Sequence, residues 1–360
     1  MQSWSVPDDI ATPSLLINLE TVEANAARMS EQLLAKHITL RPHTKTHKSV
    51  DLAHLQYSFG AKGISVATIG EAEVFAAAGF DDIFVALPIW CTAKIASKLN
   101  QLATIAKLRI GVDSIAGAQA LATQIDQSSQ IEAMIEVDSG QHRTGVRPDQ
   151  AGRLAHECQA LGLRVAGVFT HGGHSYQGRD AVERAATDEI SALTLACESF
   201  SDHGLTPTVV SAGSSPTALH LGGIVTEARP GTYLFNDRQQ VALGAALPEQ
   251  VAAVVVSRVI STAVPGQFVI DAGSKALVGE SSALVAGYGE IRDLEGATVT
   301  RLSEHHGIVS FDRTPPPVGT LLQVVPNHIC TVVNLYDQYA TLRGSSLADP
   351  IRIDARGHLT

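Results

Sequence analysis

Eight short, β-branched apolar runs recur through the first 235 residues, and alanine-rich stretches of helical periodicity lie between them. This alternation constrains the fold more than any other feature of the chain. The runs are Ile38–His43, Gly63–Ile69, Asp82–Pro88, Leu108–Asp113, Ile131–Asp138, Arg164–His171, Thr208–Ser211 and Glu227–Arg229. Helical periodicity is carried by, among others, Leu19–Lys36, Ile69–Ala78, Ser114–Gln124, Pro148–Leu161 and Asp180–Asp202. Asp113-Ser114 and Arg147-Pro148 supply the capping side chain or first-turn proline of a helix start. Gly79, Gly162 and Gly204 supply stops. Strands that alternate with helices pair in parallel, because a parallel connection needs a crossover. Eight such units predict a (β/α)8 barrel, with a doubly wound open sheet as the rival.

Beyond Phe235 the helical periodicity fades. VAAVVVSRVI, QFVIDAG and LLQVVPNHIC are separated by turns at Pro265-Gly266, Pro315 to Pro317 and Gly319. That pattern predicts a mainly antiparallel β domain. The strand-like TPSLLINL, Thr12 to Leu19, is expected to join it. The expected domains are therefore a barrel over residues 20–235 and a β domain made of 1–19 and 236–360.

Composition removes several function classes. Hydrophobic residues make up 45% of the chain and charged residues 17%, which supports a sizeable core and excludes disorder. A net charge of −10 argues against coating nucleic acid or an anionic membrane. No apolar run reaches the ~18 residues of a spanning helix. The start MQSWSVPDDI lacks the charged and apolar regions of a secretory signal. Four cysteines are too sparse for a disulfide scaffold. These features read as a cytoplasmic protein with reduced thiols and no nucleic-acid or membrane partner.

The densest polar cluster is RPHTKTHK, Arg41 to Lys48, at the C-terminal end of the first barrel strand. Barrels carry their active sites on that face. A lysine held there can form a Schiff base. Alternation places His43, Lys45 and His47 on one side if the strand extends that far. The bland alternative is a solvated loop. SAGSSPT, Ser211 to Thr217, follows the seventh strand and RPGTY, Arg229 to Tyr233, the eighth. Small residues with accessible backbone N–H groups at those two loops match the phosphate site of barrels. A Schiff-base lysine combined with a phosphate cradle points to pyridoxal phosphate. His328 and Cys330 stand two apart in a strand-like run, which predicts that both side chains share a face. Imidazole with thiolate favours zinc. The alternative is a core histidine beside an inert thiol.

HTKTHK, EVDSGQHRTGV (Glu136 to Val146), THGGHSY (Thr170 to Tyr176), SAGSSPT, RPGTYLFND and PNHIC together resemble the D-serine dehydratase and D-threonine aldolase family. These are fold-type III pyridoxal-phosphate enzymes related to alanine racemase. The resemblance covers nearly the whole chain, with its motifs in the same order. It implies that Lys45 carries the cofactor and that Arg143 reaches the cofactor's phenolic oxygen. It places His174 and Tyr176 near the pyridine ring. Gly213, Ser214, Gly231 and Thr232 would hold the phosphate, with Tyr233 beside them. His328 and Cys330 would be the metal ligands, for zinc or, with a harder ligand set, a manganese-like ion. Thr331 departs from the family pattern, which has a proline after the cysteine. The implied activity is that of a lyase on D-3-hydroxy amino acids, most simply a dehydratase of D-serine, D-threonine or D-threo-3-hydroxyaspartate type. An aldolase is the alternative. An amino acid racemase or a non-catalytic pyridoxal-phosphate-binding protein fits less well. The resemblance also implies a homodimer.

Overall fold

The computed structural model describes residues 4–126, 131–292 and 294–360. Residues 1–3 of the expected N-terminal β segment lie outside the described residues. The chain divides into two compact units. One comprises Met29–Lys45, Ala53–Gly231 and Gly357–Thr360, and the other Met1–Arg28, Thr46–Leu52 and Thr232–Arg356.

In chain order, β1 (Ser14–Asn18) and α1 (Leu19–Leu34) precede the alternating region. That region runs β2 (Thr39–Leu40), α2 (Val50–Ser58), β3 (Ile64–Val66), α3 (Ile69–Ala77), β4 (Asp82–Pro88), α4 (Ala93–Leu102), β5 (Lys107–Val112) and α5 (Ile115–Gln124). It continues with β6 (Ile131–Glu136), α6 (Ala151–Ala160), β7 (Arg164–Phe169), α7 (Ala181–Asp202), β8 (Val209–Ala212) and β9 (Glu227–Ala228). The eight strands β2 to β9 form one parallel sheet in the order β2-β9-β8-β7-β6-β5-β4-β3. Its two ends meet where His43 bridges Ser65 in parallel and the Ser65 amide donates to Pro42 O at 2.8 Å. The expected eight-stranded barrel is thus present, and the open-sheet alternative is set aside.

Local chemistry starts the helices. Thr68, Thr92 and Ser114 adopt extended backbone before α3, α4 and α5, and each side chain accepts an amide of the first turn. Inside the unit, Phe84, Met134, Ala166 and Phe169 form a buried cluster. The Phe84 and Phe169 rings meet edge to face at 5.0 Å.

The second unit is built on β10 (Ala253–Ser261), β11 (Gln267–Ile270), β12 (Gly289–Ile291), β13 (Thr298–Leu302), β14 (Gly307–Ser310), β15 (Leu321–Pro326), β16 (Gln338–Arg343) and β17 (Ser346–Arg352). Short helices α8 (Arg238–Ala242), α9 (Ser274–Leu277) and α10 (Ile329–Val333) punctuate it. Pairing runs β10-β11-β14-β13-β12-β15 and returns to β10, so six strands close on themselves. The nine-residue, valine-rich β10 is long enough to serve two neighbours along one edge. Its first half pairs antiparallel with β1, and its last residues pair antiparallel with β11, with a register shift between Val259 and Ser261. As expected, the N-terminal strand joins this sheet, antiparallel to β10 and parallel to β16. Leu16, Val251, Val254, Val256, Val325 and Leu342 pack as its core.

One local expectation fails. His328 and Cys330 do not share a strand: β15 ends at Pro326, and His328 is the N-cap of α10. A proline cannot donate to the sheet ladder, and here it marks the end of pairing. Among the described residues, no helix is long and apolar enough to cross a membrane.

Candidate active site

Lys45 sits at the centre of a single 3-10 turn, Thr44–Thr46, just past β2. The buried Thr44 hydroxyl donates to Ser65 O at 3.1 Å, and the His43 amide donates to Pro230 O at 3.0 Å. The lysine turn is therefore tied to the neighbouring strands on either side. Arg143 follows β6 in a loop shaped by Asp138, which accepts the amides of Gly140 and His142, each at 2.9 Å. The half-exposed guanidinium lies 4.0 Å from Glu136 Oε1, which also accepts the Thr144 hydroxyl at 2.9 Å. His174 and Tyr176 occupy a 3-10 turn, Gly173–Gln177, after β7. His174 is buried, with Nε2 3.2 Å from Asp188 Oδ2.

His171 shows that these groups converge. Burial pushes its imidazole well below the usual range, and the positive fields of Lys45, Arg143, Arg229 and His174 add to the effect. Four potentially cationic side chains from the loops after β2, β6, β7 and β9 thus lie within electrostatic reach of one histidine. Arg229 is buried, with one guanidinium nitrogen donating to Ser211 Oγ at 2.5 Å and the other to Thr170 O at 2.6 Å. Its guanidinium carbon lies 5.6 Å and 5.2 Å from the Phe84 and Phe169 ring centroids. Burial lowers its pKa, and Glu227, Glu189 and Glu136 oppose that shift. A buried concentration of positive charge suits an anionic ligand.

The glycines of these loops have separate physical reasons. A Cβ on Gly172 would meet Glu189 Cδ at 2.7 Å, and one on Gly173 would meet Gln141 Cδ at 2.2 Å. Gly213 has φ +85° and a Cβ there would meet Leu221 Cδ1 at 2.8 Å. The Gly213 amide donates to Glu189 Oε1 and the Ser214 amide to Thr217 Oγ1, each at 2.9 Å. Those two amides, expected as phosphate donors, already have acceptors within the protein. Gly231 follows Pro230 at the end of β9. Thr232 and Tyr233 are buried in the turn Thr232–Leu234.

In the second unit, Cys330 Sγ lies 3.2 Å from Thr46 Oγ1 and 3.4 Å from Thr232 Oγ1. Thr46 is the residue after Lys45, so the chain itself carries the lysine turn into the surroundings of this thiol. His328 and the two threonine hydroxyls draw the thiol pKa down against burial. In return, the His328 imidazole is raised to about 10, against burial, by Cys330, Asp237 and Glu280. Asp237 is fully buried and its Oδ2 lies 3.7 Å from His328 Nδ1. The same carboxylate accepts the amides of Ile329 at 3.0 Å and Gln240 at 2.9 Å. A polarised thiol, an imidazole and a carboxylate behind the imidazole form the donor set of a soft divalent metal. Among the described residues, no group of three or more His, Cys, Asp or Glu is placed to hold a metal. His328 and Cys330 could therefore hold a metal only as a two-ligand site.

The Lys48 backbone has φ +52°, and its carbonyl accepts the Ala355 amide. Lys48 belongs to the second unit and Lys45 to the barrel unit. Sequence reasoning assigned no role to Glu189, Arg229 or Asp237. Glu189 had a readable signal. Val182, Ala185, Ala186, Ala192, Leu193 and Ala196 of α7 are buried at helical spacing, and Glu189 is an acid in that apolar line.

Residues 17–239, more than half of the chain, match the alanine racemase N-terminal domain, and residues 252–342 match the serine dehydratase domain. The chain belongs to the alanine racemase N-terminal domain family, and its relatives include both dehydratases and aldolases. It is 35% identical to D-threo-3-hydroxyaspartate dehydratase from Delftia sp., covering 92% of this chain and 94% of that one. It is 31% identical to D-threonine aldolase from Arthrobacter sp., covering 97% and 93%. The solved Delftia dehydratase superposes with a TM-score of 0.89 at 33% identity, covering 96% of this chain and 98% of that one. A D-threo-3-hydroxyaspartate dehydratase solved in a metal-free form, with a cysteine replaced by alanine, superposes at a TM-score of 0.90 and 32% identity over 98% of this chain and 99% of that one. Alanine racemase from Bacillus anthracis, at 15% identity and a TM-score of 0.69 over 95% of this chain and 98% of that one, shares the fold. The fold family depends on pyridoxal phosphate, and its dehydratase and aldolase members are lyases.

Proposed function

We propose that this chain is a pyridoxal-phosphate- and metal-dependent dehydratase of D-3-hydroxy amino acids, releasing a 2-oxo acid and ammonia. The observation that carries the reading is the run Lys45-Thr46, in which the lysine turn is continuous with the hydroxyl that touches Cys330. Lys45 holds the cofactor covalently. Arg143 faces its phenolic oxygen, and His174 and Tyr176 border the ring. Gly213, Ser214, Gly231 and Thr232, with Tyr233, surround the phosphate. Because the Gly213 and Ser214 amides are engaged, they shape this loop, and its remaining donors hold the phosphate. His328 and Cys330 hold the metal, for which thiolate softness favours zinc.

The bound cofactor withdraws electrons from the substrate's Cα, and the bound metal acts as a Lewis acid on the β-hydroxyl. The chain's own residues do the rest. The Lys45 amine would take the proton from Cα. Burial, reinforced by the positive fields of Lys45, Arg143 and Arg229, disfavours the charged form of His171, so it adds no further cation beside that amine. Asp237 sets a carboxylate 3.7 Å from His328 Nδ1 and acts on the imidazole through its charge. Departure of the hydroxyl with the Cα proton is dehydration, whereas cleavage of Cα–Cβ is the aldolase outcome. Cys330, in place of a harder carboxylate, supports the first.

The C-terminal unit, with its serine dehydratase match, counts against a non-catalytic cofactor-binding protein. The likeness to racemases shows the fold alone. We retain a homodimer in the cytoplasm, with a small D-amino acid as ligand and no nucleic-acid or membrane partner. The net charge of −10 and the free state of the four cysteines support that setting. The test is spectroscopic. The wild-type protein with pyridoxal phosphate is expected to absorb near ~410–420 nm. Lys45→Ala is expected to lose covalent attachment and Lys48→Ala to keep it. The reverse pattern refutes the assignment.

A further inference from the structure

Helix α7 buries a carboxylate that the reaction has not used. Glu189 has no exposed surface and stands in a line of alanine, valine and leucine. Its Oε1 accepts the Gly172 amide at 2.9 Å and the Gly213 amide at 2.9 Å. These amides belong to two different loops. Gly172 lies in the THGGHSY loop after β7, which carries His174 and Tyr176. Gly213 opens the SAGSSPT loop after β8. One carboxylate oxygen thus joins the loop beside the ring to the loop beside the phosphate. Gly172 is glycine because the carboxyl group fills the place of its side chain, with Glu189 Cδ 2.7 Å from an added Cβ. Gly213 is held at φ +85° with its amide directed at the same oxygen.

Burying a carboxylate is costly unless its hydrogen bonds are made. A helix that needed only packing here would carry alanine or leucine at this position. Burial raises the Glu189 pKa, opposed by Thr217, the amides of Gly213 and Gly172, and Arg229. A tie of this kind orders both loops before a ligand arrives, which lowers the entropy lost on binding.

We propose that Glu189 is a positioning residue that sets the cofactor's phosphate loop and couples it to the loop bordering the ring. This rests on the cofactor reading above. It differs from a general stabilising role in one measurable respect: it acts on the phosphate half of the ligand. Pyridoxal has the same ring and aldehyde without the phosphate, and so separates the two.

The experiment compares equilibrium binding of pyridoxal phosphate and of pyridoxal to wild type, Glu189→Gln and Glu189→Met. Glutamine keeps an oxygen for both amides, and methionine keeps the bulk without an acceptor. Glu189→Met is expected to weaken pyridoxal phosphate binding by about tenfold, roughly 1.4 kcal/mol, and pyridoxal binding by clearly less. Glu189→Gln is expected to restore most of that ratio. Amide hydrogen exchange in the cofactor-free protein is expected to quicken together over residues 170–176 and 211–217 in Glu189→Met. If that variant fails to fold, Gly172→Ala makes the same test from the other loop. Its φ of −76° suits alanine, and its Cβ pushes the carboxylate away from Gly213. Equal loss of both ligands, or an unchanged ratio in folded Glu189→Met and Gly172→Ala, overturns the proposal. Absence of Lys45-dependent cofactor binding in the wild type overturns the cofactor reading instead.

Discussion

Replacing Asp237 separates what the second unit needs for folding from what it needs for metal. The carboxylate is fully buried and does three things at once. Oδ1 caps α8 through the Gln240 amide, Oδ2 accepts the Ile329 amide, and Oδ2 lies 3.7 Å from His328 Nδ1. Asp237→Ala removes the cap, worth about 1 kcal/mol, and leaves the Ile329 amide buried without its acceptor, worth about 1–3 kcal/mol. The sum is about 2–4 kcal/mol, which corresponds to a fall in Tm of about 4–16 °C for a unit of this size. Asp237→Asn presents one oxygen to those amides and removes the charge behind the imidazole. Its Tm is expected to fall less than that of the alanine variant. Zinc affinity is expected to drop, by up to about 10-fold, because the carboxylate charge 3.7 Å from His328 Nδ1 raises the basicity of that imidazole. The assay is zinc competition against a chromophoric chelator, with melting curves of the metal-free proteins as control. Wild-type zinc affinity in a folded Asp237→Asn protein refutes the reasoning.

Gly213→Val places a branched side chain at φ +85° and against Leu221, so cofactor affinity is expected to fall while the barrel stays folded; circular dichroism with cofactor titration checks both. His171 has a folded-state pKa below that of the unfolded chain. Its contribution to the stability of the cofactor-free protein is therefore present above about pH 6.5 and is lost as pH falls through the folded value. Melting curves between pH 5 and 8 are expected to show a steeper acid loss in wild type than in His171→Gln. Parallel curves contradict the assigned shift. Cys330→Ala is expected to lose zinc and the elimination activity together while keeping the absorbance that depends on Lys45.

Much of the barrel was legible because its signal is local. Asp82–Pro88 is a strand over the residues expected, and β5 to β9 match their runs within one or two residues, since each run is apolar, β-branched and bounded by turn residues. Helices α2 and α4 were not singled out. In α4 the buried Ala96, Leu99 and Leu102 make a narrow stripe among polar residues, which gives a weak pattern. The His328-x-Cys330 pair was read with strand geometry because the apolar run continues through it. Pro326 ends the ladder and moves both residues to the start of a helix, a change decided by one residue. Lys45 was legible from its place at a strand end. The partners of the loops were not, because Glu189 meets Gly172 and Gly213 from 17 and 24 residues away. Arg229 was visible in RPGTY, but only the packing of Phe84 and Phe169 shows it as a buried cation.

Product analysis of the cofactor- and zinc-loaded protein on D-serine and D-threonine tests the central claim most directly. The account expects pyruvate from D-serine, 2-oxobutanoate from D-threonine and one ammonia for each, lost on chelation of the metal while the Lys45-dependent absorbance remains. Glycine and acetaldehyde as the main products from D-threonine would replace elimination by the aldolase reaction. No turnover of any D-3-hydroxy amino acid, or full elimination activity in metal-free protein, would contradict the account.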